Sequence, residues 1–139
     1  MVRLSLAAWE PVFRSFRQVL GQEIYDRLFP HWASSQAADV ESACTNEKYA
    51  VWVADVDGVV AGFVALETDE QTKIGVVHMP AVDPAHQNQG LGTRLNLFAL
   101  DRLQDAGREL AQVGTGGDPG HAAARRTYEK AGYTALPAI

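Results

Sequence analysis

AVDPAHQNQGLGTRLNLFALDRLQDAG, residues Ala81 to Gly107, joins an extended run, a turn holding Gly90 and Gly92, and a long amphipathic segment. Leu91, Leu95, Phe98, Leu103 and Ala106 recur at helical steps, so the spacing predicts a helix from Gly90 to about Ala106 that stops at Gly107. A strand that passes through such a turn into a helix presents free backbone N–H groups at the positive end of the helix dipole. That arrangement suits a phosphate or pyrophosphate. Gly90 and Gly92 allow close approach of an anion without an intervening Cβ, and Thr93 and Arg94 add side-chain donors in the first turn. Neither G-x-G-x-x-G nor Gly-Lys-Ser/Thr is present, so dinucleotide-fold and P-loop readings fall away. Taken alone, the loop fits an anion site or a plain helix start with nothing bound.

Upstream, KIGVVHMPAVD reads as a strand in which Pro80 lacks a ladder donor, so a bulge or splay is expected there. Before it, YAVWVADVDGVVAGFVALETD reads as a β-hairpin turning at Asp57-Gly58. The N-terminal part is helical in period. Leu6, Trp9, Phe13, Phe16, Val19 and Leu20 precede a stop at Gly21, with Pro11 expected to kink or split the helix near Trp9. A second helical stretch runs from Glu23 to about Cys44 and is interrupted near Pro30-His31-Trp32. Downstream of the opening stretch, LAQVGTG reads as a strand, GHAAARRTYEKAGY as a helix closing at Gly132, and Tyr133 to Ile139 as a short extended tail. The order is that of a mixed α/β chain whose sheet is antiparallel at its start.

The chain of 139 residues fits one domain, residues 1–139. No apolar run reaches the ~18 residues of a membrane span, and the N-terminus lacks the layout of a secretory signal, so no membrane partner and a cytoplasmic location are expected. A net charge of -5 argues against a broad nucleic-acid surface. The single cysteine, Cys44, is expected to be a buried, inert thiol. His31, His78, His86 and His121 show no metal-ligand spacing, and no metal is expected.

The run Val82-Asp83-Pro84-Ala85-His86-Gln87-Asn88-Gln89-Gly90-Leu91-Gly92 resembles the acetyl-CoA motif of the GNAT superfamily of N-acetyltransferases, Gln/Arg-x-x-Gly-x-Gly/Ala after a strand. HAAARRTYEKAGY, His121 to Tyr133, is similar to that family's second signature, a helix with Asn at its start and Tyr-Glu-Lys near its end. The resemblance covers about Tyr49 to Tyr133. It implies a mostly antiparallel sheet, flanked by helices, whose fourth and fifth strands in the family's order splay into a V that takes the pantetheine arm of acetyl-CoA. It implies that backbone N–H groups of Gln87, Asn88, Gln89, Gly90, Leu91, Gly92 and Thr93 hold the pyrophosphate, and that Ala81 and Val82 pair with the pantetheine amides. His121 replaces the family's CoA-contacting Asn.

The implied activity is acetyl transfer from acetyl-CoA to a primary amine of a small molecule or peptide; the alternative is an inactive acyl-CoA-binding module. Tyr128 matches the tyrosine that protonates the departing sulfur. The strand that supplies a glutamate base in many members has none here, and His78 is the nearest titratable residue, since histidine titrates in the working range. Glu67, Asp69 and His31 are weaker candidates. Trp9, Phe13, Phe16, Phe29 and Trp32 either line the acceptor pocket or, for the most part, fill the core. The family's first strand and C-terminal hairpin look shortened here, and the sheet edge this leaves open leads to an expected homodimer, which light scattering checks.

Overall fold

The computed structural model describes residues 1–67, 71 and 73–136. Three helices open the chain, α1 (Val2–Leu20), α2 (Gln22–Leu28) and α3 (Trp32–Thr45). Gly21, at φ 79°, ends the first of them. Of the kink or split expected at Pro11, the split does not occur: α1 runs through the proline as one helix. Proline removes one backbone donor from the ladder, whereas α1 buries Leu4 and Val12 along its length. That burial holds the helix together across the missing bond.

Strands β1 (Tyr49–Val56) and β2 (Val59–Glu67) form the hairpin expected around Asp57-Gly58, and both turn residues take positive φ, 52° and 82°. Strand β3 (Ile74–Val82) follows, then α4 (Leu91–Asp105), β4 (Leu110–Val113) and α5 (Ala122–Lys130). The sheet order is β1-β2-β3-β4, with the first two pairings antiparallel and the last parallel. The family-like mixed sheet is therefore present. Tyr133 to Leu136 form no strand, and Pro137 to Ile139 of the expected tail lie outside the described residues.

Helices cover both faces of the sheet, which is why Ala61 to Leu66 of β2 is buried without alternation. On one face Val64, Leu66 and Val77 pack against Leu95, Ala99 and Leu103 of α4. On the other, Phe63 and Ala81 pack against Leu4 of α1 and Val40 of α3.

The irregularity expected at Pro80 is a bulge. Phe63 pairs with Ala81 and Ala65 with His78, so Val64 alone spans Met79 and Pro80, and Met79 takes φ 51°. Beyond it the sheet opens: the β3–β4 ladder runs from Ile74↔Leu110 to Val77↔Val113 and goes no further. From His78 to Val82 the side of β3 that faced β4 has no strand partner among the described residues.

Cys44 corrects one expectation, because it is exposed. The buried positions of α3 are Val40 and Ala43, a three-residue step that turns Cys44 outward.

Candidate functional site

The opening between β3 and β4 is a cavity of about 690 Å³, within the range of ligand sites. His78 to Val82 of β3 form one wall, and Gly114, Thr115 and α5 the other. The turn before α4 lies at its mouth, and Trp9 and Val12 of α1 with Gln36 of α3 line it as well.

The turn is shaped as a cradle. Asp83 caps the short 3-10 turn Pro84–His86, its side chain accepting from the Ala85 N–H at 2.9 Å. Asn88 (φ 62°) and Gly90 (φ 78°) then both take left-handed conformations. The first helical bond of α4 runs from the Arg94 N–H to the Gly90 carbonyl, and among the described residues the N–H groups of Asn88 to Thr93 have no partner. Gly90 takes a φ that favours glycine, whereas Gly92 does not: a Cβ there would meet Thr127 Cγ2 at 3.4 Å and Val82 Cγ2 at 3.7 Å, ordinary contact. The fold leaves that space clear without needing to. Gln87 folds back, its Nε2 donating to the Val82 carbonyl at 3.2 Å. Gln89 is exposed and is not among the cavity-lining residues, whereas Ala81, Val82, Gln87, Asn88, Gly90, Leu91, Gly92, Thr93 and His121 are.

Tyr128 projects from α5 into the same cavity. Its ring is buried and lies edge-on to Tyr133, with centroids 5.9 Å apart, and its hydroxyl bonds to none of the described residues. Burial, with a smaller contribution from Tyr133, pushes its pKa up to about 12. The phenol is therefore protonated throughout the neutral range.

This shift has a consequence for stability. The unfolded phenol ionises near pH ~10 and the folded one near 12, so stability is retained below pH ~10 and lost as pH rises toward 12. Urea unfolding at pH 9 and pH 11.5 is expected to show the parent losing about 2 kcal/mol more than Tyr128→Phe. Equal losses would show that Tyr128 is not held in an unfavourable medium for its anion.

His78 is held by Glu67, its Nε2 lying 2.9 Å from Glu67 Oε1. Lys48 Nζ lies 3.3 Å from the same oxygen, and the Tyr49 ring stands edge-on to His78 at 5.2 Å. The hydrogen bond from His78 lowers the Glu67 pKa against the opposing effect of burial, with Lys48 adding to the lowering. The ionised carboxylate only accepts hydrogen bonds, so Nε2 carries a ring hydrogen, and in the neutral tautomer this selects the lone pair falls on Nδ1. The Glu67 pair was not foreseen as such from sequence. Its signal lies in the register, since Ala65↔His78 places Glu67 two residues along the same face. His31 lies exposed at the α2–α3 junction, outside the cavity lining, and Asp69 lies outside the described residues.

Of the aromatic residues in the first helices, Trp9 alone lines the cavity; Phe13, Phe16, Phe29 and Trp32 form a half-buried cluster, with Phe13 and Trp32 stacked at 4.5 Å. Sequence reasoning missed Arg126 and Lys130, which line the cavity one helical turn apart on α5. It also missed Asn96, a polar residue on the buried face of α4. Asn96 donates to the Gly92 carbonyl at 2.9 Å, and its Oδ1 is buried without a partner. His86 Nδ1 is likewise buried and unpartnered.

Among the described residues, no group of three or more His, Cys, Asp or Glu side chains is placed to hold a metal ion, and no helix is long and apolar enough to cross a membrane.

A helix-flanked mixed sheet, split between two parallel strands with the turn before α4 beside the split, is the mixed α/β architecture its solved relatives share. The chain belongs to the acetyltransferase (GNAT) family, whose profile matches residues 13–133. It is 36% identical over 87 residues to a mycothiol acetyltransferase of Sanguibacter keddieii, covering 59% of this chain and 27% of that protein. It is 33% identical over 77 residues to an uncharacterized N-acetyltransferase of Archaeoglobus fulgidus, covering 52% of each. The chain thus spans between about a quarter and a half of the length of these relatives. Among solved structures, the ribosomal-protein-S18-alanine N-acetyltransferase of Escherichia coli aligns at TM-score 0.62 and 25% identity, covering 73% of this chain and 62% of that one. A Bacillus subtilis acetyltransferase in complex with CoA shares the fold at TM-score 0.59 and 21% identity, covering 68% and 60%.

Proposed function

We propose that the chain transfers an acetyl group from acetyl-CoA to a primary amine of a small molecule or peptide, by direct attack with both substrates bound. The observation that carries this reading is the N–H array from Asn88 to Thr93, unpartnered among the described residues, beside the same cavity that Tyr128 lines. Acetyl-CoA supplies the activated thioester. The cradle N–H groups hold its pyrophosphate, the open edge of β3 at Ala81 and Val82 receives its amide-bearing arm, and Arg126 and Lys130 lie on the same wall for further phosphate charge.

An alkylammonium of pKa ~10.4 requires about 4–5 kcal/mol to lose its proton at pH 7, so a base beside the acceptor lowers the barrier. His78 Nδ1 takes that proton, with Glu67 fixing the tautomer and stabilising the imidazolium. Tyr128 donates a hydrogen bond to the departing sulfur. Against a thiol of pKa ~8.5, complete ionisation of a phenol at about 12 is uphill by roughly 5 kcal/mol. Tyr128 therefore works by hydrogen bonding as the C–S bond breaks, not as a free acid.

The test measures CoA thiol release with a panel comprising a polyamine, an aromatic monoamine, a lysine-bearing peptide and a peptide with a free α-amine. Transfer to at least one is expected, with kcat lowered about 100-fold in His78→Asn and about tenfold in Glu67→Gln. Tight acetyl-CoA binding with no transfer to any of them would favour the binding-module reading. Transfer that persists unchanged in His78→Asn would remove that histidine from the mechanism.

A further inference from the structure

The cavity carries a second carboxylate-held imidazole that the mechanism above leaves unused. Asp118, in the loop between β4 and α5, hydrogen-bonds His121 Nδ1 through Oδ1. Its Oδ2 accepts from Ser15 Oγ on α1 at 2.9 Å and from the Gly120 N–H at 3.1 Å. The Gly120 N–H also reaches Ser15 Oγ at 3.1 Å, and Arg125 Nη1 pins the loop by donating to the carbonyls of Gly116 at 2.7 Å and Asp118 at 2.8 Å.

Two glycines make room for this network. A Cβ on Gly116 would lie 2.5 Å from both Asp118 Oδ1 and His121 Nδ1, and a Cβ on Gly120 would lie 2.7 Å from Ser15 Cβ and 3.0 Å from the Val12 Cα. Trp9 meets the His121 ring edge-on at 5.8 Å and Phe16 lies against it at 5.8 Å, which restricts its rotation.

Burial works to raise the Asp118 pKa, but hydrogen bonds from His121 and Ser15 outweigh it and the carboxyl sits below its ordinary value. An ionised Asp118 only accepts, so Nδ1 carries a ring hydrogen, and in the neutral tautomer this selects the lone pair falls on Nε2 of a residue that lines the cavity. Among the described residues the charged partner of the ring is Asp118, with Arg125 on the carbonyl of the same aspartate; α1 brings Ser15, Trp9 and Phe16, none of which titrates near neutrality.

We propose that His121, oriented by Asp118 and Ser15, is a second proton acceptor in the transfer. This proposal rests on the acetyl-transfer reading. A primary ammonium gives up two protons in becoming an amide, one before attack and one as the new bond forms. His78 takes the first. As the N–C bond forms, the remaining excess N–H bond breaks, its electron pair stays on nitrogen, and the proton goes to His121 Nε2. The C–S bond breaks with its pair on sulfur, beside the Tyr128 hydroxyl. Of the two protons lost by nitrogen, one ends on the thiol and the other passes from the imidazoles to water, which balances the reaction.

The test uses the full chain and His121→Asn, with His121→Gln as a second variant and Asp118→Asn as the orienting control. Acetyl-CoA Kd is measured by calorimetry, kcat and its pH profile with the fastest amine of the panel, and the ring tautomer of the parent by 15N NMR with CoA bound. In His121→Asn, Kd is expected to stay within about threefold while kcat falls about 100-fold and one ionisation leaves the pH profile. Asp118→Asn is expected to lower kcat about tenfold, and the parent ring is expected to carry its hydrogen on Nδ1. An unchanged kcat in His121→Asn, a loss confined to Kd, or a hydrogen on Nε2 overturns the proposal. A parent that binds acetyl-CoA yet acetylates no amine overturns the transfer reading, whereas an active parent matched by His121→Asn overturns this proposal alone.

Discussion

Gly90→Glu is expected to weaken acetyl-CoA binding by at least about 100-fold, or about 2.7 kcal/mol, in calorimetric titration. Two effects act together at this position. Gly90 sits at φ 78°, a left-handed conformation that costs an ordinary residue on the order of 1–2 kcal/mol. The new carboxylate also lies among the N–H groups that hold the pyrophosphate, where like charges repel at short range. Among the described residues other than its chain neighbours, no atom lies within 4 Å of a Cβ at this glycine, so a side chain there does not meet the core. Gly90→Asn separates the two effects, since Asn tolerates the left-handed region and carries no charge; it is expected to retain binding within about tenfold. Equal binding by the parent and Gly90→Glu would show that the loop is a helix start and nothing more.

Tyr128→Phe is expected to lower kcat by about 100- to 1,000-fold while leaving the acetyl-CoA Kd within about threefold. The hydroxyl bonds to none of the described residues, so its removal breaks no internal hydrogen bond, and the ring contact with Tyr133 remains. Because the phenol stays protonated up to about pH 12, its ionisation places no alkaline limb on activity below pH ~10. Thiol release that continues at the parent rate in this variant would make Tyr128 a packing residue of α5.

The elements that lie close together in sequence were the legible ones. The strand, turn and helix could be read because glycines, an extended run and a helical period adjoin within Ala81 to Gly107, and each is a local signal. The bulge was legible for the same reason, proline's missing donor being a property of one residue. Contacts between distant segments were not. Ser15 and Asp118 are 103 positions apart, and nothing in the period of α1 marks Ser15 as a partner for a loop beyond β4. The Glu67–His78 pair required the register across the bulge, which neither strand specifies alone. Pro11 and Cys44 show the reverse: local rules predicted a kinked or split helix and a buried thiol, yet α1 runs unsplit and the packing of α3 turns Cys44 outward.

Incubation of the full chain with acetyl-CoA bearing a deuterated acetyl group and the amine panel, followed by mass spectrometry, separates acetyl transfer from binding alone. One amine is expected to gain a single deuterated acetyl group, with free CoA thiol released in equal amount and only while the chain is present. Acetyl-CoA that binds, by calorimetry on the same sample, but leaves every amine unlabelled would contradict the transfer reading.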